Sequence, residues 1–136
     1  MSVLLNPYIT FGGNAREAIE FYLSVFGGEV SIMTFGEMPG VPTAPDEAAK
    51  VMHSMLTGVN GLVLMAADAP KGSDFHPFNG SISLSGEDES TLRGYWEKLV
   101  EGGTVGEPLE QAPWGDTFGM CIDRFGIHWM INITGS

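Results

Sequence analysis

Asn14-Ala15-Arg16-Glu17-Ala18-Ile19-Glu20-Phe21-Tyr22-Leu23-Ser24-Val25-Phe26-Gly27-Gly28 is the segment whose reading decides the fold. Ala15, Ala18, Ile19, Tyr22, Val25 and Phe26 recur at three- and four-residue spacing, which marks an amphipathic helix. Asn14 is a good N-cap, and Gly27-Gly28 is a stop that tolerates positive φ. The pattern then returns. Under one constant shift Ala18, Tyr22, Val25 and Phe26 fall on Leu92, Trp96, Leu99 and Val100, and one place further the glycine pair falls on Gly102-Gly103. Repetition of that kind reads as a duplicated unit.

Working outward, Val3 to Phe11 reads as a strand broken by Pro7, and Glu29 to Gly36 as a second strand. Met38 to Ala49, with Pro39, Pro42 and Pro45, cannot pair continuously and reads as a loop. Val51 to Thr57 and Leu62 to Ala67 flank Gly58-Val59-Asn60-Gly61, a hairpin signal. The second half repeats the order. Ser81 to Ser85 is a strand, Glu87, Asp88 and Glu89 open a helix, and Thr104 to Leu109 has weak strand character. A loop at Pro113-Trp114-Gly115 leads to strands Phe118 to Ile122 and Ile127 to Ile133 around a turn at Asp123 to Gly126.

Each half therefore reads βαβββ, and the expected class is α+β, two tandem βαβββ modules. One domain is expected over 1–136, with module one about 1–74, module two about 78–136, and a crossover near Phe75 to Gly80. A single such unit leaves an apolar sheet face bare. Two are expected to pair, within the chain or across a dimer, with curved sheets around a cleft.

Composition narrows the partners. A 43% hydrophobic content over 136 residues is ample for a core without disulfides or metals. Six basic against seventeen acidic residues give a net charge of −11, which would repel a phosphate backbone, so no nucleic acid is expected. No run reaches the roughly 18 apolar residues of a membrane span, and the N-terminus lacks the features of a signal peptide. Cys121 is the single cysteine and excludes an intrachain disulfide. A cytoplasmic protein with no membrane partner is expected.

Several motifs together resemble one family. Asn6-Pro7-Tyr8, Gly13 to Ala18, Phe21-Tyr22 and Phe26-Gly27-Gly28 are similar to the opening of PhnB-like proteins of the vicinal-oxygen-chelate (glyoxalase/bleomycin-resistance) superfamily. Phe35-Gly36-Glu37-Met38-Pro39, Val51-Met52-His53 and Leu64-Met65-Ala66 agree, as does the tail Trp114-Gly115-Asp116, Phe118-Gly119, Asp123, Phe125-Gly126, Trp129 and Ile131-Asn132. The resemblance implies the paired-module fold and a homodimer. It does not imply one activity. A ubiquinone-pathway methyltransferase label carries little weight, since no glycine-rich nucleotide loop of the kind a methyl donor commonly uses follows a strand.

Metal-dependent members of the superfamily hold a divalent ion with His, Gln or Glu from the first and last strands of each module. Counted from Phe21-Tyr22 and from Gly126, those positions fall on Pro7, on Leu64 or Met65, near Asn79 or Gly80, and on Met130. A thioether suits such ions poorly. No metal and no cofactor are expected, and the carboxylate base of some relatives is replaced at Met130. His76, beside Pro77, reads as solvated.

Tyr8, Phe11, Phe35, Glu37, Met38, His53, Met55, Met65, Trp114, Phe118, His128 and Met130 are the expected pocket residues, with Trp129 a further lining candidate. Alternation allows about half to point inward, and plain core packing accounts for the rest. Met38 to Ala49 and Trp114-Gly115-Asp116 are candidate lids, and Glu37, Asp46 and Asp116 would attract a cation. Three readings stay open: a metal-independent binder of a small molecule, a divalent-metal enzyme (glyoxalase, thiol transferase or extradiol dioxygenase), and an interaction module without a ligand.

Overall fold

The computed structural model describes residues 5–37, 47–70 and 75–135. The chain divides into two compact units, Met1–Phe78 and Asn79–Ser136. In the first, β1 (Tyr8–Phe11), α1 (Ala15–Phe26), β2 (Glu29–Thr34), β3 (Val51–Thr57) and β4 (Val63–Asp68) follow in order. In the second, β5 (Ser81–Gly86), α2 (Glu89–Val100), β6 (Thr104–Gln111), β7 (Thr117–Ile122) and β8 (His128–Ile133) do the same. Each forms a four-stranded sheet, β1-β4-β3-β2 and β5-β8-β7-β6, so the duplicated βαβββ order is matched by a duplicated topology. The first strand of each unit runs parallel to the last, and the remaining pairs are antiparallel.

Helix packing gives each sheet two unlike faces. Ala15, Ala18, Ile19, Tyr22, Val25 and Phe26 of α1 are buried, as the periodicity predicts. They lie over Ile9, Phe11, Ser54, Leu56, Leu64 and Ala66, which are at most 5% exposed and share one strand parity. Each large apolar side chain so buried stabilises the unit by about 1.5–3 kcal/mol. In the second unit α2 buries only Leu92 and Leu99 fully, above Cys121, Trp129, Ile131 and Ile133. Residues of the opposite parity project from the face turned away from the helix.

The duplicated glycine pairs have a duplicated cause. A side chain at Gly28 would run into the Thr57 carbonyl, and one at Gly103 into the Ile122 carbonyl, so β2 and β6 each start hard against the end of the neighbouring strand. Gly28 also has φ +102°, a conformation that L side chains rarely adopt.

Three elements differ from expectation. β2 stops at Thr34, because Phe35–Glu37 coils into a 3-10 turn. β6 runs through Pro108 to Gln111, which its edge position and two register shifts permit. Asn14 occupies the N-cap position of α1 without a side-chain bond to it. Val3 and most of the expected loop from Met38 lie outside the described residues.

Candidate functional site

Strand register assembles the open face of the first unit. Tyr8 pairs with Met65 and Met65 with Met55, making one row across β1, β4 and β3. His53 lies two residues before Met55 on the same face and pairs with Met33 of β2. The Tyr8 hydroxyl lies 3.4 Å from His53 Nδ1, and the two rings are 5.8 Å apart at 33°. Tyr8 and Met33 are 47% and 43% exposed, so this face is reachable by a ligand.

In the second unit the same row is Ser83, Met130 and Met120, across β5, β8 and β7. Beside it run Ser81, His128 and Ile122 on one flank and Ser85, Asn132 and Phe118 on the other. Trp114, 65% exposed in the turn after β6, packs against Phe118 with ring centroids 6.3 Å apart.

Of the expected pocket residues, Tyr8, His53, Met55 and Met65 therefore share one open face, and Phe118, His128 and Met130 share the other. Phe11 does not join them. It has the parity of Ile9, is 5% exposed and belongs to the core under α1. Trp129 is likewise core, and its indole N–H donates to Asp123 Oδ2 at 2.8 Å. Phe35 is half-buried at the head of the 3-10 turn, and Met38 and Asp46 lie outside the described residues.

Glu37 and Asp116 are engaged locally. Glu37 Oε1 accepts from the Thr34 hydroxyl at 2.8 Å and its amide at 3.2 Å, and these bonds hold the carboxyl below its ordinary pKa. Asp116 accepts from the Gly135 amide at 2.9 Å and the Asn132 side chain at 3.0 Å, with the same effect on its pKa. Both still carry charge at neutral pH, aimed first at their own loops.

Met33 and Met120, absent from the expected pocket, lie on the open faces, and strand parity alone would have flagged them. Sequence reading also assigned no bonding role to the buried carboxylates Asp68 and Asp123. Asp68, 3% exposed at the end of β4, accepts from the amides of Gly13, Ala15 and Val51 at 2.9–3.0 Å. The glycine-bearing turn into α1 thus spends its donors on an internal carboxylate, where an anion-binding turn would offer them outward.

Of the positions that the family resemblance marks for metal ligands, three carry poor donors for a hard divalent ion. Pro7 has no side-chain donor, Leu64 is buried on the helix side so that β4 presents Met65, and β8 presents Met130. Among the described residues no group of three His, Cys, Asp or Glu side chains could hold a metal. Pro7, Met65 and Met130 offer such an ion no side-chain oxygen.

Two open-faced βαβββ units with mixed sheets define a protein of the glyoxalase/bleomycin-resistance fold. A glyoxylase/bleomycin resistance protein/dioxygenase domain from Frankia sp. EAN1pec shares it, with a TM-score of 0.67 at 15% identity over 100% of this chain and 99% of that one. The 3-demethylubiquinone-9 3-methyltransferase family matches residues 4–132, and the chain belongs to that family, the PhnB-like branch of the superfamily. Protein PA1353 of Pseudomonas aeruginosa is 35% identical, with a TM-score of 0.86 over 99% of this chain and 100% of that one. The PhnB protein of Bacillus cereus is 26% identical, with a TM-score of 0.70 over 97% and 100%.

Proposed function

We propose that the chain binds a small, largely apolar organic molecule bearing a ring, on the open sheet face of its first unit, without a divalent metal. The observation that carries this reading is the Tyr8–His53 pair set among the thioethers of Met33, Met55 and Met65. Thioether arms repack around varied shapes, and a tyrosine beside a histidine supplies one polar handle to fix a ligand's orientation. The Trp114–Phe118 pair gives the second unit a face suited to stacking on a flat ligand. The negative charge of the chain favours neutral or cationic ligands.

Thermal denaturation in the presence of chelator tests it, with a panel of aromatic, cationic and phosphonate compounds. A ligand at about 100 times its Kd adds about 2.7 kcal/mol of stability, a clear rise in melting temperature. Tyr8→Phe and His53→Ala are expected to reduce that rise. A panel that never moves the transition, or a rise that chelator abolishes, rejects the reading.

Two further parts belong to the proposal. A homodimer is supported by the edge strands β2 and β6 at the ends of their sheets, and sedimentation at micromolar concentration should show two copies. A cytoplasmic site of action is supported by the single buried thiol of Cys121, which suits a reducing compartment. No helix among the described residues is long and apolar enough to cross a membrane.

A further inference from the structure

Met65 and Met130 stand at the same place in the duplicated topology, the third residue of β4 and the third of β8. Each has a methionine as its antiparallel neighbour, Met55 on β3 and Met120 on β7. Each pair also has a histidine two residues from one member on the same strand and face, in His53-Ser54-Met55 and in His128-Trp129-Met130. The two units thus carry the same triple, one imidazole and two thioethers, although the histidine sits on the third strand of one unit and the last strand of the other.

We propose that each triple, His53/Met55/Met65 and His128/Met130/Met120, is a binding site for a soft monovalent metal ion, Cu(I) or Ag(I). Register sets the geometry. Paired residues have Cβ atoms about 4.5–5.5 Å apart, and residues two apart on a strand are separated by about 6.7 Å. Two flexible thioether arms and an imidazole can converge from such positions on one point above the sheet. Thioether and imidazole donors select Cu(I)-type ions and disfavour Ca²⁺, Mg²⁺ and Mn²⁺, so the residues that spoil a hard-ion site are the ones that suit a soft one. All six side chains are half-buried, open enough for an ion to enter and dry enough to strengthen its bonds. In the first unit the Tyr8 hydroxyl beside His53 Nδ1 orients the ring and leaves Nε2 for the ion. Met33, paired with His53, is a further thioether within the same patch.

The first triple lies on the same face as the organic ligand proposed above, but the inference does not rest on that ligand and its experiment does not depend on finding one. The full chain is titrated anaerobically with Cu(I) against a chromophoric Cu(I) chelator, and with Ag(I) while the methionine methyl signals are followed by NMR. Two ions per chain are expected, with the methyls of Met55, Met65, Met120 and Met130 moving on Ag(I) addition. The double variant M55L/M65L should halve the retained metal, and M120L/M130L should remove the other half. Leucine conserves volume, so both variants should keep the melting temperature. The methyl spectrum of the unaltered chain provides a readout that needs no variant. Uptake unchanged with all four methionines replaced, loss of uptake in Cys121→Ser, or a single ion abolished by either double variant would each overturn the assignment.

Discussion

The start of α1 and the start of α2 pose the same physical problem, exposed amide donors at a helix N-terminus, and the two units meet it with carboxylates of very different reach. α1 takes Asp68, which lies 55 and 53 residues from the Gly13 and Ala15 amides and binds Val51 with its other oxygen. α2 takes Asp88, its own N-cap, three residues from Thr91. The buried carboxylate of the second unit, Asp123, instead ties the β7–β8 turn together through Phe125, Ile127 and Trp129, all within six residues. Duplication preserved the topology and left its fastening free to diverge. The buried carboxylate of the first unit makes long-range bonds, and that of the second makes local ones.

The largest expected effect therefore separates Asp68 from Asp123. Asp68→Ala strands three amide donors in two segments, the turn into α1 and the start of β3, and at about 1–3 kcal/mol for each of the two buried ones the loss should reach about 3–5 kcal/mol. Asp123→Ala should cost about 2–4 kcal/mol, since the β7–β8 turn is tethered at both ends by the sheet. Urea denaturation ranks them, and amide exchange sharpens the contrast: opening should spread over Gly13, Ala15 and Val51 in the first variant and stay within 123–129 in the second. Equal spread would break the comparison.

The glycine pairs give the next largest contrast. Gly28→Ala meets both the Thr57 carbonyl and a left-handed backbone, an expected cost of about 2–4 kcal/mol. Gly103→Ala meets the Ile122 carbonyl and the Asp123 backbone but no left-handed conformation, an expected cost of about 1–3 kcal/mol. Melting curves of the two variants test whether the conformational part is real, and a larger loss at Gly103 would reject it.

These glycines were legible in the sequence, as were both helices and the βαβββ succession of each unit, because helical periodicity, glycine stops and a repeat are local signals that tertiary context reinforced. Fastening was not legible. Asn14 has the chemistry of a cap, yet Asp68 arrives from a strand far away in sequence and takes its place. Face assignment was half legible: alternation groups Tyr8 with neither Ile9 nor Phe11, but Phe11 and Trp129 look like pocket aromatics until the helix is seen to cover them. The methionine pairs were hidden for a different reason. Each Met reads singly as apolar lining, and only the register that sets Met55 against Met65 and Met120 against Met130 turns them into donors facing one another.

A smaller effect belongs to the second unit alone. Burial, with a contribution from Asp123, pushes the Cys121 thiol up to about 11. The folded state thus favours the neutral thiol. Its stabilisation is complete below the ordinary thiol pKa and is lost as pH rises through that value toward about 11. Stability should decline across that alkaline window and decline less in Cys121→Val, and a disulfide reagent at pH 8 should label Cys121 only after denaturation. Prompt labelling of the folded chain would contradict the burial.

The smallest effect tests the local cap. The Thr91 hydroxyl and amide hold Asp88 below its ordinary pKa, so the folded state favours the carboxylate. Its contribution is present above the ordinary aspartate value and disappears as pH falls through the lowered one. Asp88 is fully exposed and solvent screens it, so Asp88→Ala should lower the melting temperature at pH 7 by a fraction of the Asp68→Ala shift. Below the lowered pKa the gap between the parent and Asp88→Ala should narrow, because the protonated side chain keeps only a neutral acceptor at the helix start. If Asp88→Ala instead cost as much as Asp68→Ala, the second unit would depend on its cap as fully as the first depends on its long-range carboxylate, and the contrast between local and distant fastening would fail.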